Sequence, residues 1–128
     1  MESISDTALL DVLQQLPSLC PEFAGAVVAT GDGLVLAAVG EYQGDTPAAC
    51  AASLFVHLKD DLQPLQGPGT VFSPSELLVF GDDALWHLSR LTAGHLLLLC
   101  SRPTPHVGAV RLAGQTTAAR LNRWLAKA

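Results

Sequence analysis

The chain has 128 residues, of which 49% are hydrophobic and only 15% charged, with a formal net charge of −5. A chain of this length fits one domain that buries about two-thirds of its unfolded surface, so it carries its own core without metals or disulfides, and its apolar composition excludes intrinsic disorder. The acidic balance argues against nucleic acid or anionic lipid as partners, and the scarcity of charge points to apolar surface hidden in a partner protein.

The N-terminal stretch Met1–Asp6 is acidic and has no basic start followed by an apolar run, so no signal peptide is expected there. The first periodic segment is Asp6 to Leu16. Leu9, Leu10, Leu13 and Leu16 recur at helical steps, Ser5 or Asp6 can cap the start, and Pro17 and Pro21 bracket the end. Gly25–Thr30 and Leu34–Val39 are β-rich runs around Gly31-Asp32-Gly33. They predict a hairpin, because glycine supplies the positive φ that such turns require.

Thr46 as cap and Pro47 at the first helical position open a helix that runs to about Leu62. This helix is the most informative stretch of the sequence. Leu54, Phe55, Leu58 and Leu62 make one stripe, while the opposite side offers Ala49, Ala52, Ser53 and Val56, small or apolar and uncharged. A helix without a polar face is covered on both sides. In so short a chain the second cover is expected to be another copy, which predicts a homodimer with Ala49, Ala52, Ser53 and Val56 at its interface.

Gln63–Ser75 is rich in proline and glycine and reads as a loop, with a short extended piece at Val71-Phe72. Three strands follow: Glu76–Phe80, Ala84–Leu91 and His95–Ser101. The intervening Gly81-Asp82-Asp83 and Thr92-Ala93-Gly94 are too short for parallel crossovers, so these strands are antiparallel neighbours. The last has leucines at both parities and so belongs to a sheet covered on both faces. Thr104-Pro105 opens a final helix, lined on one side by Val107, Val110, Gly114, Thr117, Leu121 and Trp124. The order α-β-β-α-β-β-β-α predicts a single domain over residues 1–128: an α/β, three-layer α/β/α fold around a five-stranded antiparallel sheet.

Few residues carry chemistry. There is no GxSxG elbow and no HExxH. His57, His87, His95 and His106 fall on different elements, and pairing Leu91 with His95 sets His87 opposite Leu99, away from the other strand histidine. The pairs Asp60-Asp61 and Asp82-Asp83 diverge rather than converge. Cys20, Cys50 and Cys100 are odd in number and widely spaced, so neither a disulfide framework nor a CxxC metal site is readable, and a reducing cytoplasm is the expected setting. Gly31-Asp32-Gly33 lacks the lysine of a phosphate loop, and Trp86 and Trp124 have no basic groove beside them for base stacking. No run approaches the ~18 apolar residues of a membrane span. The expectation is a chain with no enzymatic activity, no cofactor and no metal. Charge is split unevenly: residues 1–64 hold nine acids against Lys59 alone, whereas the stretch from Arg102 to Lys127 holds five bases and no carboxylate.

Gly25-Ala26-Val27-Val28 with the Gly31-Asp32-Gly33 turn and Leu34-Val35-Leu36-Ala37, the alanine-rich helix Ala48–Leu58, Glu76-Leu77-Leu78-Val79, and Val107-Gly108-Ala109-Val110-Arg111 together resemble the roadblock/dynein light-chain domain family, in its bacterial gliding-protein, MglB-like branch. The resemblance runs from about Asp6 to Leu125, and profilin-like and longin-like domains share parts of the layout. It implies a non-catalytic domain that dimerises through its central helix and a neighbouring sheet edge, binds a small Ras-like GTPase and, in the gliding-protein branch, stimulates its GTP hydrolysis. The alternative is a scaffold module in a larger assembly with no effect on nucleotide turnover.

Overall fold

The computed structural model describes residues 4–126, with side chains from Thr7 onward, so the cap expected from Ser5 or Asp6 and the terminal Lys127 lie outside the described part. In chain order the elements are α1 (Ile4–Leu13), α2 (Leu16–Leu19), β1 (Phe23–Ala29), β2 (Val35–Gly40), α3 (Thr46–Leu62), β3 (Glu76–Phe80), β4 (Leu85–Arg90), β5 (Leu96–Ser101) and α4 (Val107–Leu125). The five strands form one antiparallel sheet in the order β2-β1-β5-β4-β3. The expected three-layer α/β/α architecture is therefore present, with the single turn α2 as an addition.

Strands β1 and β5 pair at the centre, and every residue of β5 is buried. Even and odd positions of these strands feed two separate cores. On one face Ala26, Val28, Leu97 and Leu99 meet Leu9, Leu13 and Leu16 from α1 and α2, and Val110 and Leu121 from α4. On the other, Val27, Leu96, Leu98 and Leu88 meet Ala48, Ala51, Ala52 and Phe55 of α3. The hairpin between β1 and β2 turns as the glycines require. Gly33 sits at φ +90° and donates its N–H to the Thr30 carbonyl at 3.0 Å.

The starts of α3 and α4 differ from the sequence reading. Asp45 rather than Thr46 occupies the N-cap of α3, and it makes no side-chain capping bond there. Helix α4 begins at Val107 instead of Pro105, because the Thr104 hydroxyl accepts the His106 N–H at 3.1 Å and holds a turn outside the helix. On α4 the buried stripe is Val110, Ala113, Gly114, Thr117, Leu121 and Leu125, while Trp124 stands at the surface. A 3.6-residue repeat starting from Thr117 and Leu121 reaches Leu125 more directly than Trp124.

One polar cluster ties together the face covered by α1 and α4. His87 on β4 pairs with Leu99 in register, points under α4 and is completely buried. Its Nε2 lies 2.5 Å from Glu76 Oε1. Arg111 donates to both oxygens of the same carboxylate, each at 2.9 Å. The guanidinium of Arg111, then the hydrogen bond from His87, hold the Glu76 carboxyl down at about 2. An ionised carboxylate only accepts, so Nε2 carries the ring proton. Nδ1 is left without a partner among the described residues and faces Gly114. A Cβ built at Gly114 would stand 2.1 Å from that nitrogen, so the imidazole fills the space a side chain would need.

Two expectations follow from this packing. Gly114→Ala should destabilise the fold by about 1–3 kcal/mol through overpacking, although alanine is intrinsically the better helix former. Gly108→Ala on the same helix meets nothing within 4 Å and should be neutral or stabilising by up to about 1 kcal/mol. Urea titrations of the two variants beside the parent check the contrast in sign. Since the folded-state carboxyl of Glu76 titrates below its unfolded counterpart, its stabilisation is present above the unfolded value and fades as pH falls towards 2. Urea midpoints measured from pH 6 to pH 2.5 should accordingly fall more steeply for the parent than for Glu76→Gln.

Candidate partner-binding surface

Helix α3 seats on the sheet through alanines. Ala48, Ala51, Ala52 and Phe55 face the strands, at the spacing that one side of a helix provides. Such small residues let the helix axis approach the sheet closely. The remaining circumference carries Ala49, Cys50, Ser53, Leu54, Val56 and His57, all exposed and none of them a lysine, arginine or carboxylate. Leu54 is 43% and Val56 54% exposed. His57 folds back on its own helix, with Nδ1 2.8 Å from the Ser53 carbonyl. The result is a helix face open to the outside that is uncharged and largely apolar through its middle, with Lys59, Asp60 and Asp61 following in the last turn.

Helix α3 packs mainly on β1 and β5, leaving the β4–β3 side of that sheet face less covered. Leu77, Val79 and Trp86 stand there partly exposed. Two clefts open along the helix. The first, about 320 Å³, lies between the N-terminal half of α3 and the strands, with Leu88 and Leu98 as its floor and Tyr42 and Trp86 among its walls. Trp86 donates its indole N–H to the Tyr42 hydroxyl at 2.5 Å. Burial, and after it the neighbouring Cys100, hold the Tyr42 phenol well above its ordinary range, so it remains protonated. The second cleft, about 220 Å³, lies at the C-terminal half of α3, between Val56, Lys59, Ser73, Arg90 and Leu96.

Of the four residues assigned to the interface from sequence, Ala49, Ser53 and Val56 lie together on the outward face. Ala52 does not. It is 8% exposed and belongs to the sheet-side core. Leu54, grouped with Phe55 in the sequence reading, instead points outward. Consecutive residues differ by about 100° around a helix, so Leu54 and Phe55 cannot share one narrow stripe. Trp86 and Tyr42 at the first cleft, and the juxtaposition of Lys59 with Arg90 at the second, carry no local sequence signal. Lys59 is 31 positions from Arg90, and they meet only because the loop after α3 returns to the end of β4. Among the described residues no three His, Cys, Asp or Glu side chains gather where they could hold a metal ion. None of the described helices is long and apolar enough to cross a membrane.

No protein-family model matches the sequence, and no curated protein does. Solved structures match across the whole domain. Myxococcus xanthus MglB superposes with a TM-score of 0.84 at 13% identity, over 99% of this chain and 94% of that one. A structure described as MglB with tetrameric arrangement gives 0.81 at 21% identity, over 97% and 92%. The Roadblock/LC7 domain from Streptomyces avermitilis gives 0.77 at 19% identity, over 91% and 96%. The fold is thus roadblock-like, in the arrangement of MglB.

Cysteine reactivity tests the orientation of α3. Cys50 is exposed, whereas Cys20 and Cys100 are buried, and burial followed by the nearby Cys100 raises the Cys20 thiol to about 11. Iodoacetamide at neutral pH should modify Cys50 alone in the folded protein, and all three cysteines after unfolding, as read by peptide mass spectrometry.

Proposed function

We propose that the chain is a non-catalytic, homodimeric regulator of a small Ras-like GTPase that stimulates GTP hydrolysis by its partner. The observation that carries this reading is the uncharged outer face of α3, exposed on a domain with the fold of MglB. Exposed apolar area in one continuous strip marks an interaction site, because each Å² returned to a partner contributes about 25 cal/mol. Self-association through this face fits Ala49, Ser53 and Val56, whose small side chains allow a second helix to approach. The edge strand β3 lies beside the less covered half of the same sheet face. An MglB described in a tetrameric arrangement supports self-association of domains with this fold.

Stimulation is proposed to work by ordering the switch elements of the GTPase, a population shift towards its competent state. An inserted arginine is the competing mechanism. Arg90 contacts Ser73, Arg102 pairs with Glu41, Arg111 with Glu76, and Arg120 donates to the Gln15 side-chain oxygen. These four arginines, engaged within their own domain, are poorly placed to reach a nucleotide, and Arg123, exposed on α4, is the fifth candidate.

Sedimentation and single-turnover GTP hydrolysis by the cognate GTPase test the reading together. The parent should sediment as a dimer at micromolar concentration, and Val56→Arg should shift it to a monomer that no longer stimulates hydrolysis. Replacing the arginines singly by alanine should reduce stimulation only in step with affinity. A loss of ~10³-fold at one arginine with binding intact would establish a finger instead. Firm binding with an unchanged hydrolysis rate would make the protein a scaffold.

A further inference from the structure

The second cleft beside α3 has a chemistry distinct from the rest of this surface. Its floor is apolar, made by Phe55 and Val56 from α3 and Leu96 from β5. Its rim holds two cations, Lys59 and Arg90, and the Ser73 hydroxyl, and no carboxylate lines it. In an acidic chain this is an unusual local balance, because Lys59 is the only base among the first 64 residues. The Lys59 ammonium joins no ion pair or side-chain hydrogen bond among the described residues, so its charge is unspent. Arg90 is held by the Ser73 hydroxyl on one side, and its backbone N–H donates to the Ser75 carbonyl at 2.9 Å. A guanidinium fixed in this way loses little freedom when it binds an anion.

We infer that this cleft is a docking site for a partner protein's segment that presents a carboxylate beside an apolar side chain. The carboxylate meets Lys59 and Arg90, and the apolar neighbour covers Phe55 and Leu96. Charge complementarity selects the anion, since two cations without a counter-charge favour a carboxylate and repel a basic segment. Size selects a protein side chain over a free cofactor. About 220 Å³ lies below the ~300–1,000 Å³ of usual small-molecule pockets and fits one or two side chains. The cleft opens at the C-terminal end of α3, beside the exposed strip of that helix. The inference needs only a protein partner and stands whether or not that partner is a GTPase.

Nuclear magnetic resonance titration of the full chain with two capped dipeptides tests it. Acetyl-Leu-Asp-amide carries the required pair of groups, and acetyl-Leu-Asn-amide is its uncharged isostere. The aspartyl peptide should give saturable shifts at the amides of Val56, Lys59, Arg90 and Leu96, and should bind roughly fivefold more tightly than the asparaginyl peptide, the scale of an exposed ion pair. Lys59→Gln and Arg90→Gln should each reduce that preference, and 0.5 M salt should weaken it. Lys59 is exposed and unpaired, so its replacement leaves the fold intact and keeps the comparison interpretable. Equal binding of the two peptides, shifts elsewhere on the surface, or no saturation would overturn the inference. So would a change in sedimentation of the peptide-free protein on Lys59→Gln, which would assign the cation to a contact between two copies of the chain.

Discussion

Strands β1 and β5 are apolar at both parities, so a sheet built around them must be covered on both faces. Five strands spaced about 4.8 Å apart make a face roughly 20 Å wide, and one helix with its side chains is about 10–12 Å across. Helices α1 and α4 together are wide enough for one face. Helix α3 alone is not wide enough for the other, and it lies over β1 and β5. The half of that face formed by β4 and β3 is left with Trp86, Leu77 and Val79 partly exposed. The partly exposed apolar residues of β4 and β3 derive from this mismatch of widths. The domain completes its core on one side and leaves apolar surface exposed on the other.

The covered face is closed by a polar cluster at its β3 side. His87 takes the place of a side chain on α4, and Gly114 is the position that admits it. A buried imidazole costs free energy unless its proton is accepted, and Glu76 accepts it. Glu76 begins the edge strand, and through Arg111 it joins β3 to α4 as well as to β4. An edge strand in a small domain has neighbours on one side only, so these bonds anchor β3 where the ladder alone is weakest. The same cluster absorbs the charge of Arg111, one of the five bases between Arg102 and Lys127. Arg102 pairs with Glu41, while Arg120 donates to the neutral Gln15 side chain and keeps its charge.

The two clefts beside α3 differ for reasons that lie in the chain's path. Near the helix start, the segment after β2 brings Tyr42 across Cys100 towards Trp86, and aromatic groups wall the opening. Near the helix end, the proline- and glycine-rich loop returns to the sheet. The Gln63 side chain ties it down by donating to the Thr70 carbonyl and accepting the Phe72 N–H. That return sets Ser73 against Arg90 and opposite Lys59. A loop read from composition as mere connection therefore forms one wall of a charged site.

By itself the sequence determined the elements other than α2, their order and the pairing of the last three strands. Short turns allow only antiparallel neighbours, and the match of Leu91 to His95 set His87 opposite Leu99, as the register has it. It also marked α3 as the helix without a charged face, because composition along a helix is a local property. Which residues of α3 point inward was decided only in the folded chain. Ala52 went to the sheet with Ala48, Ala51 and Phe55, and Leu54 to the surface, whereas hydrophobicity alone ranks leucine above alanine for burial. The closeness of His87 to Gly114, the sharing of Glu76 between His87 and Arg111, and the meeting of Lys59 with Arg90 were equally beyond the sequence. Each joins residues on elements whose distance in space is fixed by how strands and helices stack, and no spacing along the chain records that distance.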